Sequence, residues 1–249
     1  MAKISLESLD TKAPHDFDKD QTKKKTKDVL KEMDDLQNLL YAENKNSLLI
    51  ILQGMDASGK DSTIRKVFKP FNPLGISVHS FKQPTKEELS YDFLWRIHRQ
   101  VPAKGTIVIF NRSHYEDILI TRVHGWCDNE TAKDRMKAIN DFEKLLQVHN
   151  NTLILKFYLH ISREVQKKRF QQRLEDPQKQ WKFNEEDLKE AEHWDTYMKM
   201  YEDCFAHCNS IPWIIVPADQ KWYKDYIIGT TIYETLNKLD MKYPTFKKK

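Results

Sequence analysis

The sequence predicts an α/β protein built on a doubly wound, five-stranded parallel sheet flanked by helices. Five short apolar runs rich in β-branched residues have the length of buried parallel strands. Segments with helical periodicity separate these runs, and such alternation along the chain is typical of a parallel α/β sheet. The predicted strands are residues 48–52, 76–80, 106–110, 153–159 and 213–216.

The helical segments complete this arrangement. Residues 1–21 are polar and without a clear period, so they are interpreted as an N-terminal extension, and residues 22–249 as a single domain. In open α/β sheets, ligands bind at the carboxyl ends of the strands. The predicted helices are residues 22–42, 62–68, 87–100, 131–148, 184–206 and 222–239.

Composition narrows the class of protein. The chain has 249 residues, of which 39% are hydrophobic and 31% charged, with a net charge of +4. No apolar run approaches the roughly 20 residues of a membrane span, and the N-terminus lacks a signal-peptide pattern. The modest charge does not favour nucleic-acid binding, and three cysteines do not suggest a disulfide framework. We therefore expect a cytoplasmic protein with neither nucleic acid nor membrane as partner.

Residues 54–61, GMDASGKD, follow the first predicted strand and precede a helix. They match the G-x-x-x-x-G-K pattern of a phosphate-binding loop, in which backbone N–H groups and the helix dipole surround an anion. Lys60 would neutralise phosphate oxygens, and a plain turn is the alternative. The next position usually supplies a magnesium-binding hydroxyl but holds Asp61, so the metal arrangement should differ. The predicted phosphate contacts are Gly54, Met55, Ala57, Ser58, Gly59, Lys60, Asp61 and Ser62.

A second motif, residues 110–117 (FNRSHYED), follows the third strand. A carboxylate here suits magnesium on transferring phosphates, and Asp117 is preferred to Glu116. Arg112 could offer a bidentate fork to phosphate, or could simply pair with Glu116. Asp56 inside the glycine loop would repel phosphate unless a cation lay between them. It is therefore predicted as a metal ligand or orienting group, with a turn-stabilising role as the alternative.

A third, strongly basic segment follows the fourth strand. It is predicted to be a helical lid over about residues 165–185 that closes over phosphates and excludes water. A solvated helix face is the alternative. The basic side chains predicted to bind phosphate are Lys167, Arg169, Arg173 and Lys182.

Together these motifs resemble the type-2 polyphosphate kinase family. Residues 54–60, 80–85 (SFKQPT), 109–117, 122–124 (RVH), the lid and 217–222 (PADQKW) are similar to that family's blocks and stand in its order. The resemblance implies a P-loop kinase fold and magnesium-dependent phosphate transfer between inorganic polyphosphate and a nucleotide, with manganese possible. It also implies catalytic roles for Asp56, Lys60, Arg112 and Asp117, metal binding by Asp56 and Asp117, and a homo-oligomer.

The acceptor is expected to be a nucleotide. The chain is most similar to single-domain members that act on both AMP and ADP. Lys82, after the second strand, is the nucleotide-binding candidate, with a surface lysine as its alternative. Arg122 in the 122–124 block is assigned to the same task by the resemblance.

Two other functions remain open at this stage. An ATP-dependent nucleoside-monophosphate kinase would share the fold and use ATP as donor. A GTPase-like switch is suggested by residues 237–240 (NKLD), which match the guanine-reading string N-K-x-D. That string falls at the end of a predicted helix rather than after a strand, so it is interpreted as coincidence.

Overall fold

The computed structural model describes residues 4–245 and contains a five-stranded parallel sheet in the order β2-β3-β1-β4-β5. The predicted fold class is confirmed, and every predicted strand agrees within one residue at each end. The strands are β1 (Ser47–Gln53), β2 (Ile76–Ser80), β3 (Ile107–Asn111), β4 (Thr152–His160) and β5 (Trp213–Pro217).

The central strand β1 brings the functional loops together. All seven of its residues are buried, as expected for a parallel strand covered on both faces. Leu52 is in register with Asn111 of β3 on one side and with Phe157 of β4 on the other. The loops that leave β1 and β3 therefore begin side by side at the carboxyl edge of the sheet.

The helices alternate with these strands along the chain. The helices are α1 (Lys19–Glu43), α2 (Lys60–Val67), α3 (Trp95–His98), α4 (Ile120–Val123), α5 (Asn129–Asn150), α6 (Arg163–Glu175), α7 (Glu185–Glu192), α8 (Trp194–His207) and α9 (Lys221–Asn237). The first and last of them, α1 and α9, pack so closely that a Cβ on Gly229 would lie 3.4 Å from Leu30.

The helix predicted over residues 87–100 is wrong for most of its length, because only a 3-10 turn and the short α3 form there. Thr85 and Glu88 exchange hydrogen bonds of 2.8 and 3.2 Å between backbone N–H and side chain. Asp92 Oδ1 then accepts a bond of 2.9 Å from Leu94 N. The Thr85–Glu88 pair is a capping box that begins one helical turn, and the Asp92 bond caps the start of another, so the helix is interrupted between them.

The helix predicted over residues 184–206 is divided into α7 and α8. The break lies at His193, whose ring contacts His124 with centroids 5.6 Å apart. This division allows α7 to lie over the carboxyl edge of the sheet while α8 continues into the core.

The N-terminal segment is packed on the domain. Leu6 is buried, and its backbone N–H donates to Glu202 Oε1 at 2.8 Å. Thr11 Oγ1 donates to Asp219 Oδ2 at 2.7 Å. Because α1 begins at Lys19, the predicted boundary between residues 21 and 22 lies within this helix.

Within residues 4–245, no helix combines the length and apolarity required to cross a membrane. The three cysteines are free thiols and all are buried.

Candidate active site

The glycine loop joins β1 to α2, and glycine is required at both ends. The backbone φ is +148° at Gly54 and +103° at Gly59. A Cβ on Gly54 would lie 2.9 Å from the carbonyl oxygen of Leu159, and one on Gly59 would lie 2.9 Å from Lys224 Nζ. Side chains rarely adopt these positive φ values, and at Gly54 a side chain would also collide with backbone. The loop leads into the N-terminus of α2, where Lys60 is the first residue, which is the geometry of an anion site.

The ammonium of Lys60 lies across this loop. Its Nζ donates to the carbonyl oxygens of Gly54 at 2.7 Å and Met55 at 3.3 Å. Burial, followed by the charge of Arg112, lowers the pKa of Lys60, while the charge of Asp56 acts in the opposite direction. The structure thus places the predicted catalytic lysine within the loop that it was expected to serve.

Arg112 links the loops that follow β1 and β3. Its Nη2 lies 2.5 Å from Asp56 Oδ1, and its Nη1 lies 4.0 Å from Glu116 Oε2. The charge of Glu116, more than that of Asp56, raises the pKa of Arg112 against the effect of burial. Arg112 has φ of +62°, a strained backbone conformation for a residue with a side chain, and such strain is concentrated at functional sites. One guanidinium therefore faces two carboxylates in the cleft.

Glu116 and Asp117 point to different surroundings, because both lie in the 3-10 turn His114–Ile118. Glu116 lines the same cleft as Asp56 and Arg112, and burial, reinforced by the charge of Asp56, raises its pKa. The carboxylate of Asp117 instead lies beside Arg96, with Oδ2 3.5 Å from Nη2. Adjacent side chains in a 3-10 turn diverge by about 120°, so the two carboxylates face different surroundings, and the preference for Asp117 over Glu116 stays a prediction.

The opposite wall of the cleft comes from the lid region. Gln166 Nε2 donates to the carbonyl oxygen of Asp56 at 3.0 Å, and Tyr197 OH donates to Glu190 Oε2 at 2.7 Å. Their place in the cleft was not predicted from the sequence, because the spacing of Tyr197 and Tyr201 indicated only a packed helix face. The lid-side residues that line the cleft are Gln166, Glu190, Ala191, Tyr197 and Tyr201.

Arg169 contacts the backbone of the glycine loop, and its predicted phosphate-binding role stays a prediction. Its guanidinium holds the glycine loop from behind and ties it to the segment that follows β5. A guanidinium has five N–H donors in a fixed fork, which suits this multiple contact. It donates to the carbonyl oxygens of Ala57 (2.7 Å), Ser58 (3.0 Å), Ala218 (2.8 Å) and Asp219 (3.1 Å).

The other lid cations have varied surroundings. Arg173 Nη1 pairs with Asp187 Oδ2 at 2.7 Å, which joins α6 to α7. Lys182 Nζ lies 3.5 Å from Asp61 Oδ2, and Lys167 is exposed. The phosphate-binding roles of these three lysine and arginine side chains stay predictions.

Asp61 is oriented by the sheet edge. Asn111 Nδ2 donates to Asp61 Oδ1 at 3.0 Å. Burial alone would raise the pKa of Asp61, but this bond and the charge of Lys182 outweigh it and lower the pKa. The neighbouring Ser62 donates its hydroxyl to the carbonyl oxygen of Gly59 at 2.8 Å.

The two nucleotide-binding candidates have different surroundings. Lys82 is exposed at the end of β2, and its carbonyl oxygen accepts a bond of 2.8 Å from Arg96. Arg122 donates to Asp203 Oδ2 at 2.7 Å and to Asn129 Oδ1 at 3.0 Å. The guanidinium of Arg122 thus holds α4 against α8, and its assignment to nucleotide stays a prediction. Lys82 stays a prediction.

Comparison with known proteins decides the family. The family described as Polyphosphate kinase 2 (PPK2) matches residues 16–244. The chain belongs to the polyphosphate kinase 2 family. It is 46% identical over 214 residues to an AMP/ADP-polyphosphate phosphotransferase of Meiothermus ruber, covering 85% of this chain and 80% of the relative.

Two further relatives support the same family assignment. An ADP-polyphosphate phosphotransferase of Rhodopseudomonas palustris is 44% identical over 226 residues, covering 85% of this chain and 78% of the relative. The crystal structure of polyphosphate kinase 2 from Arthrobacter aurescens TC1 superposes with a TM-score of 0.95 at 38% identity, covering 100% of this chain and 90% of the other. The P-loop kinase fold predicted for this chain is therefore confirmed.

A second lysine behind the glycine loop of this polyphosphate kinase 2 was missed from the sequence. Lys224 Nζ is fully buried on α9 and donates to the Gly59 carbonyl oxygen at 3.0 Å and to Ser62 Oγ at 3.2 Å. Its nearest carboxylate, Asp225, lies 3.6 Å away and also pairs with Lys66 at 2.9 Å. Burial, which the charge of Asp225 only partly offsets, lowers the pKa of Lys224 from 10.5 to about 8.

This depressed pKa predicts a pH dependence of stability. Between about pH 8 and 10.5 the unfolded chain keeps a proton on Lys224 that the folded chain has lost. The free energy of unfolding should therefore rise with pH across this window, by up to roughly 3 kcal/mol from this group. Urea unfolding at several pH values should give a shallower rise for Lys224→Met than for the unsubstituted protein. An equal slope in both would contradict the prediction, and Lys238→Met, at an exposed position after the same helix, is the control.

Proposed function

We propose that this polyphosphate kinase 2 transfers phosphate reversibly between inorganic polyphosphate and adenine nucleotides, converting AMP to ADP and ADP to ATP. The observation that carries the proposal is the cleft beside the glycine loop, in which Arg112 meets Asp56 and Glu116, with the buried ammonium of Lys60 interacting with all three charges. The anion-binding loop and these two cations suit a polyanionic donor, and a metal ion would offset the two carboxylates. The named activities of the Meiothermus and Rhodopseudomonas relatives support AMP and ADP as acceptors.

The proposed mechanism is direct in-line transfer. Phosphoryl transfer depends mainly on positioning and on neutralising charge, so no covalent enzyme intermediate is required. The glycine loop binds phosphate oxygens, Lys60 neutralises charge at the loop, and Arg112 stabilises the transferring group from the other side. Glu190 on α7 and Tyr197 on α8 close the cleft and exclude water.

Magnesium, with manganese as a substitute, is the proposed metal. Within residues 4–245, no three His, Cys, Asp or Glu side chains form a group arranged to hold an ion. Magnesium is commonly held by one or two carboxylates together with substrate phosphates, and Asp56 and Glu116 fit that pattern. The raised pKa of Glu116 beside Asp56 is consistent with a site that accepts a cation. When bound, the ion would neutralise phosphate charge. Asp117, predicted as a ligand, lies instead beside Arg96.

We expect a substitution in the lid to raise the KM for polyphosphate. Arg173→Ala removes a cation and the 2.7 Å link from α6 to Asp187 on α7, so the lid should close less firmly. The KM for polyphosphate should rise up to about fivefold, since a partly exposed ion pair contributes up to about 1 kcal/mol. Lys168→Ala removes an exposed cation from the same helix and is the matched control. Steady-state assays that give the same KM for both variants would count against a specific role of Arg173.

The acceptor is tested by separate incubations. The protein, magnesium and polyphosphate are combined with AMP in one reaction and with ADP in another, and ADP and ATP are followed by chromatography. We expect ADP from the first and ATP from the second. Formation of ADP that requires added ATP and is indifferent to polyphosphate would instead support an ATP-dependent nucleoside-monophosphate kinase.

We further propose that the protein assembles into a homo-oligomer in the cytoplasm. Apolar side chains are exposed along the edge strand β2 and the adjoining turns, and burial against a second copy would remove them from water. Light scattering during size exclusion should give a mass well above 29.7 kDa. A monomeric mass would contradict this proposal. The exposed side chains are Leu74 (78%), Val78 (45%), Leu89 (70%) and Tyr91 (50%).

A further inference from the structure

A fully buried polar cluster lies beneath the turn that carries Glu116. Its members are Tyr115, Glu143 of α5 and Lys156 of β4, each with a side chain that is 0% exposed. Tyr115 OH donates to Glu143 Oε1 at 2.7 Å. Lys156 Nζ donates to Glu143 Oε2 at 2.8 Å and to the Tyr115 oxygen at 2.8 Å. The three side chains thus form a closed ring of hydrogen bonds in the core.

The cluster extends to two further points of the fold. His114 Nε2 lies 3.4 Å from Glu143 Oε1. Lys156 Nζ also donates to the Cys208 carbonyl oxygen at 2.9 Å. Two consecutive residues of the turn, His114 and Tyr115, are therefore anchored to α5, to β4 and to the end of α8.

The charge states of the cluster are mutually consistent. Burial, with the charge of Glu143 in second place, raises the pKa of Tyr115 well above its ordinary value, so the phenol keeps its proton and can donate. Burial alone would raise the pKa of Glu143, but the His114 bond and the charge of Lys156 outweigh it and lower the pKa. Glu143 therefore remains a carboxylate opposite the Lys156 ammonium.

Stability alone does not explain this arrangement. Desolvating a carboxylate and an ammonium costs more than a well-packed apolar set of similar volume would, so buried ion pairs are weak contributors to stability. The cluster instead fixes the orientation of the 3-10 turn, because its hydrogen bonds prevent the turn from rotating. The anchored residues His114 and Tyr115 directly precede Glu116, and only one rotation of a 3-10 turn places Glu116 in the cleft.

We propose that Tyr115, Glu143 and Lys156 are positioning residues for phosphate transfer, which hold the turn so that Glu116 faces Arg112 and Asp56. The cluster acts through the turn and does not touch the substrate. This inference rests on the proposed role of Glu116 and Arg112 at the transferring phosphate.

The test compares two buried tyrosines. Tyr115→Phe removes the hydroxyl that joins Glu143 to Lys156 and keeps the ring. Tyr158→Phe is the matched control, because Tyr158 is also 0% exposed and its hydroxyl contacts the weak acceptor Met198 Sδ at 3.6 Å instead of a charged group. We expect Tyr115→Phe to lower kcat for polyphosphate-dependent ATP formation about 10- to 100-fold with little change in KM, because small misplacements of reacting groups have effects of this size. Tyr158→Phe should keep kcat within about twofold of the unsubstituted protein.

A second variant removes the charges without leaving one unpaired. Glu143→Gln combined with Lys156→Met keeps similar volumes and an acceptor for Tyr115, and should unfold at a similar urea concentration. Its kcat should fall with unchanged KM, but by less than for Tyr115→Phe, because Tyr115 keeps one of its two partners. Unchanged kcat in both variants, a rise in KM alone, or an equal loss in Tyr158→Phe would overturn the inference. The unsubstituted protein is assayed alongside, and its failure to use polyphosphate would overturn the proposed function instead.

Discussion

Arg112→Met is expected to lower kcat for phosphate transfer by roughly 1,000-fold, because an arginine that stabilises the transferring group contributes about 10³ or more. Its guanidinium connects Asp56 at 2.5 Å with Glu116 at 4.0 Å and lies between the loops after β1 and β3. The variant would remove the guanidinium that separates these two carboxylates. Loss of the fork should affect the reacting phosphate more than ground-state binding, so kcat should fall more than KM rises.

The measurement is steady-state ATP formation from ADP and polyphosphate. Arg163→Met is a suitable control, because Arg163 lies on α6, is 43% exposed and pairs only loosely with Asp195 at 3.9 Å. The control should retain activity near that of the unsubstituted protein. Retention of more than a tenth of the kcat by Arg112→Met would remove the arginine from the proposed mechanism.

Glu116→Gln is expected to lower kcat by at least about 100-fold, whereas Asp117→Asn should cost less than about tenfold. The substitutions are isosteric and lie in adjacent residues, so each is the control for the other. Glu116 lines the cleft with Asp56 and Arg112, but the carboxylate of Asp117 faces Arg96. Parallel rate measurements, with thermal unfolding to confirm folding, decide between them. A larger loss in Asp117→Asn would restore Asp117 as the carboxylate of the site.

The parts of the fold predicted correctly from the sequence depend on local patterns. The inner strands β1, β3 and β4 are largely apolar runs, and buried parallel strands require little else, whereas β2 is a partly exposed edge strand. The glycine loop follows from Gly54 and Gly59, whose positive φ values side chains rarely adopt. The prediction of a helix over residues 87–100 was wrong, because the spacing of apolar residues does not reveal the local bonds made by Glu88 and Asp92.

The direction of side chains at the site could not be read from the sequence. Glu116 and Asp117 are chemically similar neighbours, and the turn geometry that separates them depends on long-range contacts of Tyr115 with Glu143. Arg169 was expected to bind polyphosphate because it lies in a basic segment. Its four bonds are to backbone carbonyl oxygens, which carry no residue-specific signal. Lys156, an isolated charge within an apolar strand, was the one visible hint of a buried ionic cluster.

The most direct test of the account is the identity of the phosphate donor. Purified protein is incubated with magnesium, ADP and polyphosphate labelled with ³²P, without ATP, and the nucleotides are separated and counted. If polyphosphate is the donor, we expect labelled ATP in the reaction of the unsubstituted protein and almost none with Arg112→Met. Unlabelled ATP, or ADP that remains unconverted until another nucleoside triphosphate is supplied, would contradict this expectation.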